Sequence, residues 1–134
     1  MATKKLKQKS VYRDFNFQFL AHPITGDLVM LNDVQSVIQS IRNLVLTVAG
    51  EFLWEPNIGG GVSKLLFELN VPLMKLHIFD RLKNVIERFE KRVELESLVV
   101  NDIAEGYGVS ITITFYMLNN PVAITETIPL IRTR

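Results

Sequence analysis

The sequence predicts an α+β fold, an antiparallel β-sheet with helices packed on one of its faces. Two long segments, 32–50 and 72–91, carry apolar residues at helical spacing, and three segments in the C-terminal third alternate apolar with polar residues. Helices that precede a run of strands, rather than alternating with them, give segregated layers of this kind. At 134 residues the chain fits a single domain, read as 11–131 between a basic leader (1–10) and a basic tail (132–134). A chain of this size buries about two thirds of the surface exposed by its unfolded form.

Each element has a local signature. In VYRDFNFQF, Phe15, Phe17 and Phe19 alternate with Asp14, Asn16 and Gln18, which predicts a strand with its phenylalanine face covered and able to join the sheet. AHPITGD is a turn, because Pro23 fixes φ and Gly26-Asp27 permits a reversal, and the apolar run Leu28 to Leu31 follows. Val34, Val37, Ile38, Ile41, Leu44, Val45 and Val48 then mark one helical face, with Asn32 and Gln35 placed to cap its start and Gly50 its end.

EFLWEPNIGGG loses the helical pattern and reads as a loop anchored by Phe52 and Trp54, by default buried, with Gly59 to Gly61 for unusual dihedrals. KLLFEL is a short apolar turn. Pro72 suits the first turn of a second helix whose stripe is Leu76, Phe79, Leu82, Ile86 and Phe89, ending near Lys91. VELESLVV alternates imperfectly, VSITITFYML cleanly, and Val122, Ile124, Ile128 and Leu130 keep one parity; the turns NDIAEGYG and NNP make the three an antiparallel meander.

Composition removes several classes of function. With no cysteine, disulfides and thiolate chemistry are excluded, and His22 and His77, 55 positions apart, have no acidic partner at ligand spacing, so no metal or cofactor is expected. The start MATKKLKQKS has no apolar stretch of a secretory signal, and no window approaches the roughly 20 apolar residues of a membrane span. The net charge of +1 is uneven. Lys4, Lys5, Lys7 and Lys9 give the leader +4 and Arg132 and Arg134 give the tail +2, so nine basic and 14 acidic residues leave −5 between them. A solubilising tail explains the leader more simply than a nucleic-acid tether.

Carboxylates are the one plentiful catalytic material. Glu51 or Glu55 beside Trp54, or Glu68, could imitate a glycosidase acid, but nothing places a second acid opposite the first. NIGGG lacks the lysine and hydroxyl of a phosphate loop. The charged triplet Glu90, Lys91, Arg92 lies where a helix gives way to a strand. Glu90 and Arg92 are two apart and cannot pair within a regular helix. Either the helix ends early enough for Glu90 to fold toward Arg92, or each finds a partner elsewhere, or the triplet is a solvated helix end. The last strand, followed only by RTR, is an open edge that can accept a strand from another chain.

The ordered set DFNFQF, HPITGD, SIRNLVLT, GEFLWEPNIGGG, LLFEL, ERFEKRVELESL and NNP resembles the baseplate wedge family of contractile-tailed phages, historically called lysozyme-like, from about Tyr12 to Leu130. The resemblance implies a non-enzymatic virion protein of the tail baseplate, assembled in the host cytoplasm, with a fold like the inner domain of tail sheath subunits. Its implied partners are other wedge subunits, the central hub or tube-initiating proteins, and sheath subunits that polymerise from it by strand exchange. Neither a small-molecule substrate, nor membrane insertion, nor nucleic acid is implied. The family's Glu-Pro-Arg triplet maps onto Glu90, Lys91 and Arg92, with lysine in place of proline, and the implied interface residues are these three together with Phe52 and Trp54. The baseplate component of type VI secretion systems resembles the same fold and stays open as an alternative, although the compact length favours a phage or phage-like particle; peptidoglycan hydrolysis is the other alternative.

Overall fold

The computed structural model describes residues 11–67, 71–103 and 108–131. The lysine leader, Glu68, the centre of the NDIAEGYG turn and the terminal arginines therefore lie outside the described residues. The chain runs β1 (Arg13–Phe15), β2 (Met30–Asn32), α1 (Val34–Leu46), α2 (Val62–Leu65), α3 (Val71–Phe89), β3 (Val93–Asp102), β4 (Gly108–Met117) and β5 (Asn120–Ile131). Its contacts divide into two units, one ending at Gln39 and the other beginning at Ser40, within α1.

In the first unit β1 and β2 form their own antiparallel pair, with Asp14 opposite Leu31. The N-terminal strand therefore does not join the larger sheet, and it is only three residues long. Phe19 adopts φ 50° and its N–H donates to the Asn16 carbonyl, a turn that ends the extended run. The predicted covered face is also reversed: Phe15, Phe17 and Phe19 are exposed, whereas Tyr12, Asp14 and Asn16 are half-buried. His22 Nδ1 accepts from the Ile24 and Thr25 N–H groups, both at 3.3 Å, so this imidazole organises its own turn.

The start of α1 differs from the predicted cap. Asn32 belongs to β2, and Asp33 is the hinge, with φ 42° and its carbonyl accepting the first helical bond from Val37 N–H. Its carboxylate does not cap the helix but accepts the N–H groups of Val11 (2.9 Å) and Tyr12 (3.0 Å). The predicted helical face is sound: Val37, Ile41 and Val45 are buried, and Val34, Ile38, Leu44 and Val48 are half-buried.

In the second unit β4 lies between β3 and β5, both antiparallel to it. Val109, Ile111, Ile113, Phe115 and Met117 are all buried, as their alternation predicts. Ile128 of β5 and Leu98 of β3 join them on that face. On the opposite face the Thr112 and Thr127 hydroxyls lie 3.3 Å apart and those of Thr114 and Thr125 3.2 Å apart, cross-strand pairs that knit neighbouring strands. The imperfect alternation of VELESLVV has a simple cause: Leu95 faces Phe115 and Ser97 faces Thr114, so Glu96 is the extra residue of a β-bulge.

α3 packs along β3. Its buried stripe is Met74, Ile78, Leu82, Val85 and Ile86, which shares only Leu82 and Ile86 with the predicted one. Leu76 is exposed and Phe79 and Phe89 are half-buried, because the steps of four from Met74 set a face rotated away from the 76–79–89 line. The helix stops at Phe89 rather than near Lys91. Arg42 of α1 forms an ion pair with Glu126 of β5, tying the second half of that helix to the edge strand.

Candidate functional site

The early end of α3 answers the question posed by Glu90, Lys91 and Arg92. Glu90 N–H still donates to the Ile86 carbonyl at 2.9 Å, after which the chain turns and enters β3 at Val93. Outside the helix two residues no longer point apart, and Arg92 folds back onto Glu90. Nε donates to Oε1 at 2.7 Å, Nη2 to Oε2 at 2.6 Å, and the Arg92 N–H to Oε1 at 3.3 Å. Lys91 bends the other way, and its Nζ donates to the Glu87 carbonyl at 2.8 Å, satisfying the helix C-terminus that a proline would leave open.

Glu90 is only 3% exposed, while the Arg92 side chain keeps 27% of its surface in solvent and Lys91 is exposed. The pair is thus buried on its acid side and presented on its basic side. Burial raises the carboxyl's pKa, but hydrogen bonds from Arg92 and from the Ser40 hydroxyl, with the guanidinium charge, outweigh it and hold Glu90 below its ordinary range. The corner therefore clamps three elements, because Ser40 belongs to α1, Glu90 follows α3 and Arg92 leads into β3. Sequence reading missed Ser40; its one signal is a hydroxyl directly before Ile41 on the apolar side of a helix.

The corner also touches the β4–β5 hairpin. The Arg92 carbonyl accepts the Leu118 N–H at 3.1 Å, and beside this contact lies a groove of 490 Å³ lined by Glu94, Tyr116, Leu118, Asn119, Asn120 and Pro121. Leu118 itself is exposed.

The glycine triplet has a structural task. Gly60 and Gly61 N–H groups donate to the Leu44 and Thr47 carbonyls at 2.8 and 3.1 Å, so the loop caps the C-terminus of α1 from outside the helix, the task expected of Gly50. Gly59 has φ 98°, and a Cβ there would lie 2.5 Å from the Thr47 carbonyl oxygen. Gly50 instead closes the base of the loop through its N–H and the Pro56 carbonyl, at 2.9 Å.

This loop holds its apolar residues outward, correcting the expectation of buried anchors. Trp54 is 94% exposed, Leu53 is exposed to a similar degree, and Phe52 is half exposed. At the loop's end Glu55 reaches Arg88, in the last turn of α3, at 4.0 Å. Glu51 accepts the Val48 N–H at 3.2 Å. With the indole in solvent, neither acid has the apolar wall that keeps a glycosidase acid protonated.

The sheet is open on both sides among the described residues, since β3 and β5 each pair with β4 alone. β5 spans 12 residues and exposes Val122 and Ile131 near its two ends. Structure thus gathers Glu90, Lys91 and Arg92 into one corner at the hairpin end of the sheet, and places Phe52 and Trp54 on a loop joined to the same helix end through Glu55.

Solved structures share this fold, among them the following two. A Geobacter sulfurreducens protein named as a tail lysozyme superposes with a TM-score of 0.65 at 21% identity, covering 73% of this chain and 89% of its own. A chain of the cryo-electron-microscopy structure of the anti-feeding prophage baseplate superposes with a TM-score of 0.62 at 20% identity, covering 92% of this chain and 87% of its own. At such identities the likeness speaks to the fold alone. No curated protein sequence matches the chain. The family model for baseplate wedge protein gp25 matches residues 32–122, from the end of β2 through the charged corner and into β5, and the chain belongs to that family of structural, non-enzymatic subunits of the viral tail baseplate.

Proposed function

We propose that this wedge subunit works by strand pairing at the open edges of its three-stranded sheet, with the Glu90–Arg92 corner fixing the angle at which the sheet is offered. The observation that carries the reading is that β3 and β5 leave one side of each backbone without a strand neighbour among the described residues, in a chain whose family builds baseplates. An open edge gains one ladder of hydrogen bonds from an added strand, and alternate side chains set its register. Tail sheath subunits are the partners this edge suits, added after the subunit has joined its wedge neighbours and the central hub in the host cytoplasm.

The corner contributes in two ways. Glu90 is buried and acts from inside, holding Arg92 and the start of β3; Lys91 and the outer part of Arg92 are the groups of the corner that reach solvent and could meet a neighbouring subunit. Phe52 and Trp54 supply an apolar anchor on the same helix end, the kind of exposed aromatic that dominates interface energetics once covered.

The test places lysines at the exposed ends of β5. Val122→Lys with Ile131→Lys should leave the chain folded and incorporated in baseplates, while particles with attached sheath fall at least about tenfold, because edge lysines oppose strand addition. Wild-type yields of sheathed particles from this variant would rule the edge out.

A further inference from the structure

The N-terminal hairpin carries an apolar surface that none of this accounts for. Phe15, Phe17, Phe19, Leu20 and Ile24 are all at least half exposed, Phe17 at 70%, within a stretch that ends before the residue-32 start of the family match. Alternation normally marks the face a chain covers; here Asp14 and Asn16 are half-buried and the phenylalanines face solvent. So many exposed large apolar side chains within ten residues point to an interaction site.

Two further observations decide what fits it. The outer backbone edge is already occupied at and just past the end of β1: Gln39 Oε1 accepts the Phe17 N–H at 3.0 Å and Gln39 Nε2 donates to the Phe15 carbonyl at 2.8 Å. One carboxamide thus takes the outward Phe15 carbonyl and Phe17 N–H, groups that an incoming strand would need, so the phenylalanine end of this edge disfavours strand addition and offers its side chains instead. The second observation is charge. The ten residues directly ahead of Val11 contain four lysines and no acid, so an apolar contact surface here adjoins a +4 segment in sequence.

We infer that the phenylalanine face of the N-terminal hairpin docks an amphipathic α-helix of a baseplate partner, one whose apolar stripe is bordered by carboxylates. A helix brings an apolar stripe without needing a backbone partner, and flanking acids answer the lysines. The inference rests on the wedge-subunit role but not on strand pairing at β5.

The experiment uses the full chain in cells that produce the particle, with a photo-crosslinking phenylalanine analogue at position 17, followed by sequencing of the joined peptide. A cross-link to a helical segment with apolar residues at steps of three and four and flanking Asp or Glu supports the inference. Cross-links to DNA, to lipid, to residues 40–134 of the same chain, or to a segment without that pattern overturn it. In parallel, Phe17→Asp and Phe19→Asp should each reduce incorporation into baseplates at least about tenfold, and Lys4, Lys5, Lys7 and Lys9 changed together to serine should lower it as well. Both aspartate variants should melt cooperatively within a few degrees of the parent, since these side chains lie in solvent. Aspartate variants that fold and incorporate at parental levels overturn the inference as well. Damage to the hairpin face reads as lost incorporation, whereas damage to the β5 edge reads as incorporated subunits without sheath, so the two readings are separable.

Discussion

Replacing Arg92 by alanine removes three things from Glu90 at once: the Nε bond at 2.7 Å, the Nη2 bond at 2.6 Å and the charge that offsets burial. The carboxylate, 3% exposed, keeps the Ser40 hydroxyl and the backbone N–H of position 92. Breaking a buried pair from one side costs about 3–5 kcal/mol. Because the guanidinium is partly solvated, with 27% of its side-chain surface exposed, water can take some of its place and the lower end applies, about 3 kcal/mol. For a chain of this length that lowers Tm by about 10 °C, read by far-UV circular dichroism. Glu90→Gln keeps the shape and loses the charge, costing about 1–2 kcal/mol at neutral pH. Its pH dependence follows from the direction of the Glu90 shift. The folded carboxyl titrates below its ordinary value of 4.5, so its stabilisation is complete above that pH and declines as pH falls below it. The gap between the parent and Glu90→Gln should therefore be constant from pH 7 down to about 5 and narrow in more acidic buffer. A change below 2 °C in Arg92→Ala, or a gap that stays fixed through acid, would refute the clamp.

Gly59→Ala must push a Cβ to within 2.5 Å of the Thr47 carbonyl oxygen at φ 98°, so a loss of at least about 2 kcal/mol is expected in urea titration, with helix signal lost from the end of α1. Phe115→Ala empties the centre of the sheet's buried face and should cost about 3–5 kcal/mol in the same assay. Lys75→Ala breaks an ion pair with Asp102 whose side chains are 31% and 53% exposed, and Tm should move by no more than the effect of about 0.5 kcal/mol. Trp54 is the sole tryptophan, so its emission reports one site: the free subunit should show the red-shifted, readily quenched fluorescence of a solvated indole, shifting blue on assembly, while Trp54→Ala leaves Tm within about 2 °C.

What could be read from the sequence was what local physics determines. The β4 alternation, the α1 face and Pro72 in the first turn of α3 each follow from a period or a dihedral, and each stands in the fold. The α3 stripe was placed off by a rotation because the helix carries more apolar residues than one face needs, so Leu76 and Phe79 compete with Met74 and Ile78 at equally good spacing. The glycine triplet could be read as a backbone requirement but not as the cap of a helix that ends 13 positions earlier, because the accepting carbonyls are brought to it only by tertiary folding. Of the charged corner, the residues were legible and their pairing was not; it depended on where α3 stops, and helix ends are the least determined feature of an apolar pattern.

The errors at Phe15, Phe17, Phe19 and Trp54 are of a different kind, and they share a cause. Reading a period as burial assumes that a chain covers its own apolar residues, which holds for a protein whose final state is the monomer. A subunit of a larger assembly has part of its core supplied by neighbours, and residues meant for that core obey the same alternation while facing solvent in the isolated chain. The polar side of β1 is then the one the chain itself half-covers, and the Gln39 carboxamide protects the strand edge against unwanted pairing while leaving the side chains free. On β5 the Asn120 Oδ1 accepts the Val122 N–H at 3.1 Å, a bond from within the strand's own start rather than a plug from another element. The β1 edge is plugged beside its phenylalanines, whereas β5 has no strand neighbour on its outer side among the described residues, and that contrast favours side-chain docking at the first and strand pairing at the second.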